Sequence, residues 1–170
     1  GTTLYFMGND GNVYGRVLVN SCSVTNDIHV GLLDIDLPSN IKPAKVLPPS
    51  YTNYIGTARL LPVITFDQEE KLLICDSNPL RCFEEKDLLS SAQRPQNSAR
   101  QEFYEDVVSG DSGNPRFLLI DNDLVLLYVM WRGGGGSGCF VTHFIDEIQT
   151  KMNVLQMGYQ LELFDLSCYQ

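Results

Sequence analysis

The chain has 170 residues, 44% of them hydrophobic and 19% charged, the composition of an ordinary globular protein with enough length to bury a sizeable core. A formal charge of −9, with twelve Lys and Arg scattered along the chain, leaves no basic stripe for nucleic acid or an anionic membrane surface. No run approaches the roughly 20 apolar residues that a membrane-spanning helix needs.

The opening residues have no basic region followed by a long apolar one, so they do not read as a signal peptide. From Thr2 to Leu33 the pattern is a β meander: "TTLYFMG", a turn at "NDGN" in which Gly11 is able to take positive φ, "VYGRVLVNSCSV", then "DIHVGLLDID". Five of the eight prolines fall between Pro38 and Pro62, and proline cannot donate to a ladder, so this stretch reads as a surface connection between two β units.

A hairpin is expected in "RLLPVITFDQEEKLLICDS", turned at "DQEE", followed by a polar excursion through "PLRCFEEKDLLSSAQRPQNSARQ". The apolar segments "PRFLLIDN" and "DLVLLYVMW" then form a buried pair around an Asp-Asn turn. After the glycine loop "RGGGGSG", Val141, Phe144, Ile145, Ile148, Met152 and Leu155 recur at helical steps, which predicts an amphipathic helix capped near Gly158. A last strand is expected in "YQLELFDL".

The five cysteines, Cys22, Cys75, Cys82, Cys139 and Cys168, are odd in number and none is spaced as a zinc knuckle. Cys75 and Cys82 are spaced to close a short loop, and free buried thiols are an equal alternative. No metal and no cofactor is implied.

In "SGDSGNP" a serine lies between glycines at a sharp turn. Glycine lets the backbone expose the hydroxyl and aim two N–H groups at one point, where they can hold a developing oxyanion. Gly110 and Ser112 would supply those groups. Together with the two apolar strands leading to "VMW", the glycine loop and the C-terminal helix, this string resembles the second half of a trypsin-like, chymotrypsin-fold serine peptidase. Upstream, "TNDIHVGLLDIDLPSNIKPAKVLP" is similar to the segment that carries that family's catalytic aspartate.

The resemblance implies an all-β fold of two antiparallel β-barrels with a C-terminal amphipathic helix. The first barrel, 1–47, is incomplete. A linker (48–60), a second barrel (61–140), and a helix with a terminal strand (141–170) follow. It further implies a peptide-bond hydrolase acting on polypeptide substrates through an acyl-enzyme, and it favours export from the cytoplasm. Ser112 takes the role of nucleophile, Asp27 that of the acid orienting a histidine, and Asp111 shapes the oxyanion loop. Met130 and Trp131 match the strand that lines the substrate backbone. Asp106, six residues before the serine, matches the floor of the specificity pocket, with a solvated surface carboxylate as the alternative.

The match is incomplete. Val108 stands where the family has a cysteine, Asn114 where it has a glycine, and no Ile-Val-Gly-Gly start is present. The two histidines do not fit the role of base. His29 lies two residues past Asp27, roughly 6 to 7 Å along one strand face, and reads as a packed core histidine. His143, at the entrance to the final helix, reads as a surface residue. The expectation is therefore a peptidase whose histidine is encoded upstream of Gly1 and whose residues 1–170 alone are inactive. The alternative is a non-catalytic homologue that serves as a protein-binding module.

Overall fold

The computed structural model describes residues 1–25, 28–51, 63–67, 72–76, 113–132 and 137–169. Among the described residues nine strands and one α-helix are formed, in the order β1 (Thr3–Met7), β2 (Val13–Ser23), β3 (His29–Leu33), β4 (Lys45–Val46), β5 (Val63–Asp67), β6 (Leu72–Asp76), β7 (Pro115–Ile120), β8 (Asp123–Arg132), β9 (Ser137–Phe140) and α1 (Ile145–Leu155). The fold is β-rich, with α1 near its C-terminal end. Among the described residues the strands form two open sheets and no closed barrel. They fall into two compact units, each built from separated stretches of chain: Gly1–Ala44 with Phe144–Glu162, and Lys45–His143 with Leu163–Gln170.

The first unit holds the antiparallel meander β1-β2-β3. Its first turn forms where expected. Gly11 sits at φ 77°, the Gly8 and Gly11 amides bond back across the turn, and the Asp10 carboxylate accepts hydrogen bonds from the Asn12 amide, the Asn12 side chain and the Tyr14 hydroxyl. These donors, the Asn12 side chain foremost, hold the Asp10 carboxyl below its ordinary range. Between β2 and β3 the register shifts at Leu18 and Asn20. A Cβ on Gly31 would stand 2.5 Å from Leu18 Cδ1, so glycine is what lets the Leu18 side chain cross β3 at that point.

Helix α1 packs on β2 and β3. Ile148 is buried, with Ile145, Met152 and Leu155 half-buried at three- and four-residue steps along the same face. Asp146 and Glu147 in the first turn complement the helix dipole. The helix is shorter than its periodicity suggests. Val141–Phe144 forms a 3₁₀ turn before it, and Gln156 is already extended, two residues short of Gly158 at φ 102°.

The second unit holds a six-stranded sheet ordered β4-β8-β7-β5-β6, with β9 also on β8. Strands β7 and β8 form a hairpin in which Ile120 pairs with Asp123 across Asp121 (φ 47°) and Asn122 (φ 70°). Two left-handed residues in a two-residue turn match the right-handed twist of the flanking strands, and Asp and Asn tolerate that conformation. The core is made by Leu118 and Ile120 of β7, Val125 and Leu127 of β8, and Val46 and Leu47. Burial alternates along β7, and the buried face includes Arg116 at 1% exposure, so this strand is not the wholly apolar element that its sequence suggests.

The proline-bearing stretch also departs from expectation. Lys45–Val46 is a strand that runs parallel to β8, the Leu47 amide donates to the Leu126 carbonyl, and Pro48 and Tyr51 are buried. The buried Thr142 hydroxyl donates to the Leu47 carbonyl at 2.7 Å. Prolines at 48 and 49 fall after the two residues that enter the ladder, so no pairing donor is lost. The expected terminal strand reduces to one parallel bridge, Val46 with Leu163, beside a bond from the Phe164 amide to the Val46 carbonyl. The glycine loop is followed by strand β9, formed before the helical region begins.

Candidate active site

The residues expected to carry the chemistry are framed by described elements and mostly fall outside them. Asp27, Asp106, Gly110, Asp111 and Ser112 lie outside the described residues. Gly113, the residue immediately after the serine, is described: its φ is +93° and an added Cβ would meet nothing within 4 Å. Glycine is required at this position by backbone conformation, without any crowding. Asn114 is buried at 7% exposure, Pro115 opens β7, and Arg116 follows on the same buried face as Asn114.

Pairing of β7 with β8 fixes what lies beside this segment. Pro115, three residues past Ser112, pairs with Val129, the residue before Met130. Met130 then pairs with Gly138 of β9, and the register shifts between Met130 and Arg132, so Trp131 occupies an irregularity in the ladder. Such bulges bend and re-aim a strand. The sequence-expected substrate strand and the segment leaving the serine are thus neighbours in one sheet.

Around Asp27 the flanking backbone is ordered by local bonds. The Val24 and Thr25 amides donate to the Ile28 carbonyl, the Ile28 amide donates to Thr25 Oγ1 at 3.1 Å, and Ile28 is buried. The bond from the Ile28 amide is of the kind that a Thr hydroxyl makes to nearby backbone.

His29 opens β3 opposite Ser23, and it is exposed; the expectation of a packed core histidine is corrected. Its odd position on β3 places it away from Ile28 and toward solvent. His143 is exposed in the 3₁₀ turn before α1. Cys22 and Cys168 are free thiols, while Cys82, one half of the considered loop closure, lies outside the described residues.

The burial of Arg116 was missed by the sequence reading. The available signal was strand alternation: positions 114, 116, 118 and 120 share a face, and two of them are core aliphatics.

No family model, no curated protein and no solved structure matches the chain. Among the described residues no helix is long and apolar enough to cross a membrane.

Proposed function

We propose that the protein is a serine endopeptidase of trypsin-like, two-barrel architecture with Ser112 as its nucleophile. The observation that carries this reading is the register of Pro115 with Val129, which sets the segment leaving Ser112 beside the Met130–Trp131 strand. The left-handed Gly113 supports it further, because a serine on a sharp turn needs such a neighbour.

In this reading a peptide carbonyl lies along β8 and faces Ser112. The serine Oγ attacks the carbonyl carbon while its proton passes to an imidazole, and the carbonyl oxygen takes the negative charge. The Gly110 and Ser112 amides stabilise that oxyanion, which is worth about 10² to 10³ in rate per donor. The imidazolium then protonates the leaving amine, the C–N bond breaks, and an acyl-serine remains for water to hydrolyse by the same steps. Asp27 holds the imidazole in the tautomer that can accept the proton, and Asp111 shapes the oxyanion loop. Asp106, at the base of the specificity pocket, favours basic side chains in the substrate.

The base itself is the part that residues 1–170 do not provide. His29 and His143 are both exposed and neither matches the family position, so the reading requires an imidazole that residues 1–170 do not supply. Without it the proton-transfer contribution of about 10² to 10⁴ is missing.

A fluorophosphonate probe tests the reading directly on the full encoded chain, with Ser112→Ala as control. Labelling that depends on Ser112 and on a histidine is the expected result. A full chain that does not label, or that lacks such a histidine, moves the assignment to a protein-binding module built on the same sheets.

A further inference from the structure

The first unit contains a cavity of about 590 Å³ that the serine chemistry does not use. Its walls are apolar: Val30 and Leu32 of β3, Leu37 and Ile41 of the segment that follows, and Met152 and Leu155 of α1. The volume lies in the range of small-molecule pockets, which are typically apolar with a few fixed polar groups. Among the described lining residues the one charged residue is Asp36.

Asp36 is held at two points, its carboxylate by Tyr159 and its backbone carbonyl by Arg16. Its Oδ1 accepts a hydrogen bond from the Tyr159 hydroxyl at 2.5 Å, and the Asp36 carbonyl accepts from Arg16 Nε at 3.2 Å and Nη2 at 3.1 Å. Tyr159 is fixed in turn by Gln149 of α1. The Gln149 side chain donates to the Tyr159 carbonyl at 2.9 Å and accepts from the Leu161 amide at 3.0 Å. Although Arg16 approaches the Asp36 carbonyl, the one ion pair within 4.0 Å among the described residues is Lys45 with Asp123, in the other unit. Asp36 Oδ2 accepts no hydrogen bond among the described residues. The result is an apolar cavity with one positioned anionic group that has acceptor capacity left.

We infer that this cavity is a binding site for a small organic cation, an apolar alkyl or arylalkyl body carrying one ammonium group, with the ammonium donating to Asp36 and the body lying between β3 and α1. Charge decides the class. An alkyl carboxylate of the same length would meet Asp36 as a like charge, and a neutral alcohol would leave the carboxylate without its ion partner. The recognition depends on neither Ser112 nor Asp27, so it stands or falls independently of the peptidase reading.

Isothermal titration calorimetry with n-octylammonium chloride, octanol and sodium octanoate tests the inference on the intact protein. One octylammonium per chain is expected to bind, and the octanoate is expected not to. Shortening the probe by one methylene should weaken binding about three- to fourfold. Asp36→Asn should weaken it about tenfold or more, and Met152→Trp, which fills the cavity from α1, should abolish it. Glu162→Gln removes an exposed carboxylate that does not line the cavity and should retain binding, which separates loss of the Asp36 charge from a general loss of negative charge. Equal binding of all three probes, unchanged affinity in Asp36→Asn, or no binding of octylammonium by the folded protein would overturn the inference.

Discussion

Pro115, the first residue of β7, pairs with Val129 of β8 and so brings the chain just past Ser112 alongside Met130. The peptidase reading rests on that register more than on the glycine-rich string itself, since a Gly-Asp-Ser-Gly sequence serves many turns. The pairing also makes the adjacent residues testable, because it ties the chain into the ladder from Pro115 onward.

Gly113 is the nearest of these. At φ +93° any L side chain is strained, and the absence of atoms within 4 Å of the added Cβ means that conformation alone sets the cost. Gly113→Ala should destabilise the protein by about 1–3 kcal/mol and slow labelling of Ser112. Urea denaturation and probe-labelling rates on the same sample measure both effects. A substitution with no effect on either would show that the turn readily adopts another conformation.

Arg116 leads to a prediction about stability. At 1% exposure, its stem packs in the face that holds Leu118 and Ile120, and a charged head at that depth is tolerated only when its surroundings compensate it. Arg116→Ala should cost about 3 kcal/mol. Leu124→Ala on the neighbouring strand, at 44% exposure, should change stability by no more than about 0.5 kcal/mol. Comparable losses in urea midpoints for the two variants would contradict the assignment of Arg116 to the core.

The sequence made the local elements of this fold legible and left the distant pairings hidden. Strands β1 to β3 follow from alternation and from Gly11, the β5–β6 and β7–β8 hairpins from paired apolar runs, and α1 from its three- and four-residue steps. What could not be read has a partner far along the chain. Lys45–Val46 becomes a strand because β8 offers it a parallel edge, and nothing in two residues before a proline pair signals that. The grouping of α1 with the N-terminal strands is of the same kind, since the helical period shows that a face is buried and not what buries it. His29 was misread because an imidazole among apolar neighbours suits either face of a strand. Of the proposed catalytic residues the sequence offers chemical type and chain order alone, and Ser112 and Asp27 lie outside the described residues.

The hydrogen bond from Tyr159 to Asp36 gives a pH dependence. It holds the phenol's pKa above its ordinary value, with burial and the negative charge of Asp36 acting in the same direction. A raised folded-state pKa means that the stabilisation is fully present below the unfolded value of about 10 and is lost as pH rises through the folded one. Wild type should therefore exceed Tyr159→Phe in thermal midpoint at neutral pH and lose that advantage in alkaline solution. A difference that stays constant across the alkaline range would contradict a role for this bond in the folded state.

The central claim is that Ser112 is a nucleophile activated by an imidazole. The most direct measurement is fluorophosphonate labelling of the full encoded chain, of residues 1–170 alone, and of the Ser112→Ala variant, with the modified residue located by peptide mass spectrometry. The account predicts a label on Ser112 in the full chain, none in the alanine variant, and little or none in residues 1–170. A full chain that remains unlabelled while folded, or a label that persists in Ser112→Ala, would contradict it.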